Sequence, residues 1–343
     1  MDLKPFNPTG ISESNNGNDK RGHKQDTQNS NGNQEPAQET IQHMANNNTA
    51  EAPSGSTEYV NDISNEGKNM PSNVENNFIG GMPNSTYHAT PNISSSNIKT
   101  ALKSMGKYKA EIDGDSVFKT TPAMELGTLV HALVLEPETF GNQFAVSEKF
   151  DGRTKIGKAG KAAFMAANEG KIIVDAGQME TATAMARSVM EHPEVKEILS
   201  VENQREHSGF CIDRDTGLNV KYRPDIRTDH FIADLKTCAD ASKEEFARSI
   251  FKLGYHISAA HYLKCDHELF DTTHGQFIFI CVESTFPHEV AVYTLKSTAI
   301  DHGYDQCAKA LNMIKDAELT GDYPELNDGL ACEIDIPAYG YKG

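Results

Sequence analysis

Two aspartates and a lysine within one short stretch carry the chemistry that this sequence offers. Lys221-Tyr-Arg-Pro-Asp225 is followed by Ile-Arg-Thr-Asp-His-Phe and then by Ile232-Ala-Asp234-Leu-Lys236. Paired carboxylates can hold a divalent cation, and a lysine beside them can orient water and offset phosphoryl charge, the minimum set for hydrolysing a phosphodiester. Asp234 lies in an otherwise apolar run from Phe231 to Leu235, where an unpaired carboxylate is costly unless it meets a metal or a cation. On spacing alone a plainer reading stays open. In it, Asp225 closes a strand after Pro224, and Asp234 and Lys236 form a solvated pair on a sheet surface.

Strands must position these groups. Residues 211–220 read as a strand, an Asp/Gly turn and a second strand, and residues 230–237 read as a third, giving a three-stranded antiparallel meander. Side chains two apart share a face, so Lys221, Arg223 and Asp225 line one strand while Asp234 and Lys236 line the next. The aspartates are nine positions apart, and a register that sets them side by side lets both grip one cation, with the Leu235 carbonyl as a third oxygen. Upstream, residues 123–135 place Leu126, Leu129, Val130, Leu133 and Val134 on an apolar helix face. Gly127, one turn before His131, lets that helix approach the sheet closely, so the imidazole can reach the metal as a neutral ligand. The alternative is a core histidine bonded to a backbone carbonyl.

The other elements predict an α/β fold. Helices are expected over 178–200, interrupted at Pro193, over 243–264 and over 298–319, with strands over 276–283 and 289–295. On the second of these helices Tyr255, Ser258 and Tyr262 share one face.

In order and spacing these segments resemble the PD-(D/E)XK nucleases, and within them the RecE type (exodeoxyribonuclease VIII), with the RecB-like nucleases as wider relatives. Arg223-Pro224-Asp225 and Asp234-Leu235-Lys236 look like the family's metal-binding and catalytic core. The run from Gly127 to Pro137 is similar to its GxxxH helix, and Tyr255 to Tyr262 is similar to its QxxxY helix, except that Ser258 stands where glutamine is usual. The matches run from near Ile93 to about Tyr323, roughly two-thirds of the chain. The resemblance implies a restriction-endonuclease-like core, a mixed central sheet with an antiparallel meander flanked by helices. It implies Mg²⁺, with Mn²⁺ as a substitute, held by His131, Asp225, Asp234 and the Leu235 carbonyl, and Lys236 acting on the attacking water. Glu206 matches a position where related nucleases carry an extra acidic residue; a metal role and a surface role are equally open for it. The resemblance further implies 5′ to 3′ digestion of linear duplex DNA from its ends, 3′ single-stranded overhangs for recombination by strand annealing, a ring-shaped homo-oligomer and an annealing recombinase as partner.

Composition bounds the remainder. The chain has 343 residues, and the first ninety are rich in Asn, Ser and Gly, with too little apolar content to offset the entropy of ordering. They read as a disordered tail, residues 91–343 as the nuclease domain, and removal of the tail is expected to leave activity in place. No signal peptide or membrane-spanning run is evident. Six cysteines at 211, 238, 265, 281, 307 and 332 show no tight cluster, which points to reduced thiols in a cytoplasm and away from an iron–sulfur cluster. With 49 acidic against 32 basic residues the formal net charge is −17, so contact with DNA must be local. Lys221, Arg223 and Lys236, with Arg153, Lys155, Lys158 and Lys161 in a glycine-spaced basic stretch, are the candidate phosphate contacts. The resemblance adds Ser258 and Tyr262 as DNA-facing residues and puts the basic stretch near the DNA channel; a solvated basic loop is the plainer reading of that stretch. Two other functions stay open, a structure-specific endonuclease or single-strand exonuclease on the same core, and a DNA-binding recombination accessory with a degenerate site.

Overall fold

The computed structural model describes residues 77–116, 120–272, 275–337 and 341. In chain order the elements are β1 (Asn77–Ile79), α1 (Asn84–Ala89), α2 (Ser95–Lys103), α3 (Met105–Ile112), α4 (Pro122–Leu135), α5 (Phe140–Gln143), β2 (Phe144–Ser147), α6 (Lys155–Ala167), β3 (Ile172–Asp175), α7 (Ala176–Glu191) and α8 (Pro193–Ser200). There follow β4 (Gln204–Arg205), β5 (Ser208–Ile212), β6 (Asn219–Tyr222), β7 (Ile226–Arg227), β8 (Ile232–Cys238), α9 (Lys243–Lys252), α10 (Tyr255–Phe270), β9 (Phe277–Glu283), β10 (Val290–Thr294) and α11 (Ser297–Thr320).

A five-stranded mixed sheet in the order β10-β9-β8-β7-β4 is the centre of the molecule. Its middle strands β8 and β9 run parallel, joined by the α9–α10 crossover, and β7 and β10 flank them antiparallel. Both faces are covered, which is why Phe277 to Val282 reads as an unbroken apolar run and is buried throughout. Ile232, Phe277 and Phe279 pack on one face against Ile98 of α2, Ala259 and Leu263 of α10 and Leu311 of α11. Ala233, Leu235, Ile278 and Ile280 pack on the other face against Leu129 and Val130 of α4 and Met185 and Val189 of α7. Thr121 caps α4 by accepting the Met124 N–H, with Pro122 in the first turn where its missing N–H costs nothing.

The expected mixed α/β core is present, but the meander is divided. β5 and β6 form a hairpin in a separate three-stranded sheet with β1, while β7 and β8 belong to the central sheet. The chain changes sheets across Arg223-Pro224-Asp225, where proline cannot donate a ladder hydrogen bond. The helix expected over 243–264 is also divided, because Gly254 adopts φ 65° and opens α10 in a new direction.

The polar tail expected to end at residue 90 lies mostly outside the described residues, but 77–90 belong to the fold. β1 pairs with β5, Tyr87 is buried, and the Lys221 ammonium donates to the carbonyls of Tyr87 and Thr90 at 2.8 and 2.9 Å. Hydrogen bonds to a charged group contribute about 1.5–3 kcal/mol each. A chain starting at Pro91 should therefore unfold at a clearly lower urea concentration than one starting at Asn77; equal midpoints would show that the segment adds nothing.

Candidate active site

The site forms where the chain returns to the central sheet after the β5–β6 hairpin. Ile226 pairs with Ala233 and Arg227 with Ile232, and this register continued by one residue sets Asp225 opposite Asp234. The Leu235 N–H donates to Asp225 Oδ2 at 2.6 Å, a short charge-assisted bond that fixes the carboxylate against β8. Asp234 and Lys236 point to the α10 face, where Lys236 pairs with the Asp234 carboxylate and its ammonium stands 5.3 Å from the Tyr255 ring centre.

His131 arrives from α4 on the opposite face. A Cβ on Gly127 would sit 3.2 Å from Thr237 Oγ1, so a small residue there lets α4 approach β8 closely. His131 Nε2 lies 2.7 Å from the Leu235 carbonyl oxygen, and Nδ1 lies 3.5 Å from Asp225 Oδ2 and 3.9 Å from Glu206 Oε1. The histidine thus bonds a backbone carbonyl, as one reading of the sequence expected, and its other ring nitrogen faces two carboxylates. The Leu235 carbonyl, expected as an oxygen ligand, is engaged by that ring nitrogen.

Glu206 follows β4 with φ 52°, in the left-handed region that a non-glycine residue seldom adopts. Its N–H donates to the Asp225 carbonyl at 3.3 Å, and this turn aims its carboxylate at His131. Backbone strain of this kind costs on the order of 1–3 kcal/mol and gathers at functional sites.

Charge is concentrated here. Burial, and then the facing Asp234 charge, push the Asp225 carboxyl up to about 7 against the pull of His131 and Lys236. Burial opposes the His131 cation, but Asp225 and Glu206 overcome it and raise the imidazole to about 9. Burial likewise opposes the Lys236 ammonium, and Asp234 and Asp225 outweigh it and keep it charged. Among the described residues, one ligand atom each from His131, Glu206 and Asp225 lies within 4.8 Å of the others. Two carboxylates and an imidazole brought this close together fit a hard divalent cation.

Other residues singled out in the sequence are placed differently. Lys221, expected to meet phosphate, is buried and committed to carbonyls of 87–90. Its neighbour Arg223 is similarly engaged, donating to Ser208 Oγ at 2.6 Å and the Met82 carbonyl at 2.9 Å while lying over the Tyr87 ring. Tyr262 packs edge-on against Tyr222 in the core, and burial keeps its phenol protonated. Ser258 accepts a hydrogen bond from Lys99 at 3.0 Å. Arg153 and Lys155 are exposed at the start of α6, Arg153 pairing with Asp151 at 3.1 Å.

Sequence reasoning missed two features. One is Lys99, which lies 159 positions from Ser258. The other is the buried Arg227–Asp266 pair at 2.8 Å, joined by the Tyr222 hydroxyl at 2.7 Å to Asp266, which ties α10 to the strand that leads out of Asp225.

A mixed sheet with an Asp, an Asp-Leu-Lys strand and a helix-borne histidine at its mouth defines a PD-(D/E)XK-type core. Residues 94–333 match the family described as a PDDEXK-like domain of unknown function (DUF3799), and the chain belongs to that family. No curated protein matches the chain. Among solved structures, a "Putative exonuclease" from Eubacterium rectale is similar in fold, with 12% identity and a TM-score of 0.50 over 76% of this chain and 97% of that one. No described helix is long and apolar enough to cross a membrane.

Saturating Mg²⁺ or Mn²⁺, at about 100 times its Kd, should stabilise the folded chain by about 2.7 kcal/mol. Asp225→Asn and Glu206→Gln should each reduce that increment in thermal unfolding. Equal increments in all three proteins would remove these residues from the metal set.

Proposed function

We propose that the chain is a divalent-metal-dependent deoxyribonuclease that degrades linear duplex DNA. The observation that carries the reading is the convergence of Asp225, Asp234, Lys236, His131 and Glu206 at the point where the chain returns to the central sheet. His131, Glu206, Asp225 and Asp234 would hold Mg²⁺, or Mn²⁺ in its place. When bound, such an ion supplies Lewis-acid polarisation of a phosphoryl oxygen and acidifies water.

The chain's own residues do the rest. Lys236, kept charged by Asp234, orients the attacking water and offsets the negative charge that develops on the phosphoryl oxygens. The water oxygen forms the new bond to phosphorus, the bond to the 3′ oxygen breaks, and the products are a 3′ hydroxyl and a 5′ phosphate. His131 would be neutral as a ligand, so it would give up its proton on binding a metal. A net charge of −17 disfavours DNA elsewhere on the surface, so Lys236 and the exposed Arg153 and Lys155 carry the contact.

The RecE-type resemblance supports digestion 5′ to 3′ from duplex ends, 3′ overhangs handed to a strand-annealing recombinase, and a ring of several copies around the duplex. The scattered cysteines support a cytoplasmic setting. The complete Asp-Asp-Lys-His set favours an active nuclease over a degenerate DNA-binding accessory.

Asp234→Ala and Lys236→Ala should each lower cleavage of end-labelled linear duplex by at least about 10²-fold, the loss seen on removing one transition-state stabiliser, while both proteins stay folded. Closed circular duplex should survive where linear duplex is consumed. Undiminished digestion by Asp234→Ala would overturn the site, and cutting of the circle would replace the exonuclease by an endonuclease.

A further inference from the structure

Lys99 is a cation beside the site for which the proposed reaction has no use. It lies on α2, beside Ile98, which is buried in the core. The lysine stem runs over Gly254, where a Cβ would stand 2.9 Å from Lys99 Cδ. The left-handed glycine at the head of α10 therefore leaves a channel for the lysine, and Ser258, one turn further on, accepts its ammonium proton at 3.0 Å.

The charge environment gives Lys99 a direction. Among the described residues it forms no ion pair, and its hydrogen-bond partner is a neutral hydroxyl. Its surroundings lower its pKa to about 8, first through burial and then through Lys236, with Asp234 pulling the other way. A partly buried ammonium without a counterion costs stability. A ligand can supply the missing charge, and Ser258 lies one turn along the helix from Tyr255, over whose ring the Lys236 ammonium stands.

We propose that Lys99 binds a phosphate oxygen of the DNA strand being cut, and that Ser258 is a positioning residue that aims the ammonium past Gly254. The inference rests on the nuclease reading and deepens it. Ser258, which breaks the sequence pattern on α10, then has a task through its partner on α2. A purely structural Lys99 would instead pin α2 to α10.

Four full-length proteins separate these roles: wild type, Lys99→Met, Lys99→Arg and Ser258→Ala. Thermal unfolding without DNA comes first. Lys99→Met keeps the stem and removes the unpaired charge, so its midpoint should equal or exceed that of wild type; a structural lysine would give a lower one. Binding of labelled linear duplex in EDTA is then followed across salt concentrations. Loss of one phosphate contact should reduce the slope of log K against log salt by about 0.9 in Lys99→Met, with the wild-type slope kept in Lys99→Arg and Ser258→Ala. In Mg²⁺, kcat/KM should fall about tenfold or more in Lys99→Met, the loss of one charge-assisted bond, recover mostly in Lys99→Arg, and fall less in Ser258→Ala. A wild-type slope and kcat/KM in Lys99→Met, or a lowered midpoint with a proportionate loss of activity, would overturn the assignment. If wild type itself neither binds nor cuts DNA, the nuclease reading falls and this inference with it; wild-type cleavage beside an unaffected Lys99→Met sinks the inference alone.

Discussion

The hydrogen bond from the Leu235 N–H to Asp225 Oδ2, 2.6 Å long, is the constraint on which the site depends. It joins the residue at which the chain returns to the central sheet to the backbone of the strand that carries Asp234 and Lys236. Both partners are buried, so the carboxylate has little freedom to turn away. The carbonyl of the same Leu235 engages His131. One peptide position thereby sets the distance between the carboxylates on the strands and the imidazole on α4. The buried Arg227–Asp266 pair holds the next residues of β7 against α10, so the backbone on the far side of Asp225 is fixed as well.

The electrostatics follow from that geometry. Asp225 faces Asp234 across the register, and burial removes the water that would screen them, so Asp225 holds its proton up to about 7. Lys236 relieves the Asp234 side, and His131 relieves the Asp225 side. A set in which each anion needs a neighbouring cation is balanced but expensive, and Glu206 adds one more carboxylate from a strained backbone. Such an arrangement gains from a dication, which can offset several carboxylates at once. On the proposed nuclease reading, the same balance would let an acidic protein accept DNA, since a bound dication would cancel the local excess of anions where a phosphate would sit.

Much of this was legible in the sequence where local pattern and tertiary role agree. The apolar run around Asp234, with a lysine two positions later, marked a buried strand with a charged pair on one face, and β8 carries both. Gly127 and His131 at helical spacing were likewise readable, because helix period and close packing both leave local traces. The change of sheets after Tyr222 was not, since hairpin signals in 211–220 say nothing about which sheet the next strand joins. Lys221 turned inward because its acceptors come from Tyr87 and Thr90, in a segment whose polar composition hid its part in the fold. Glu206 takes its aim from a left-handed φ that glutamate does not advertise. Lys99 and Ser258 meet only through the packing of α2 on α10, a relation with no short-range signature.

The most direct test of the account is the fate of end-labelled linear duplex incubated with the purified full-length chain in Mg²⁺ and, separately, in EDTA. The account predicts that the duplex is consumed to products bearing 5′ phosphates in Mg²⁺ and left intact in EDTA. Duplex that survives in Mg²⁺, or is cut equally well in EDTA, would contradict it.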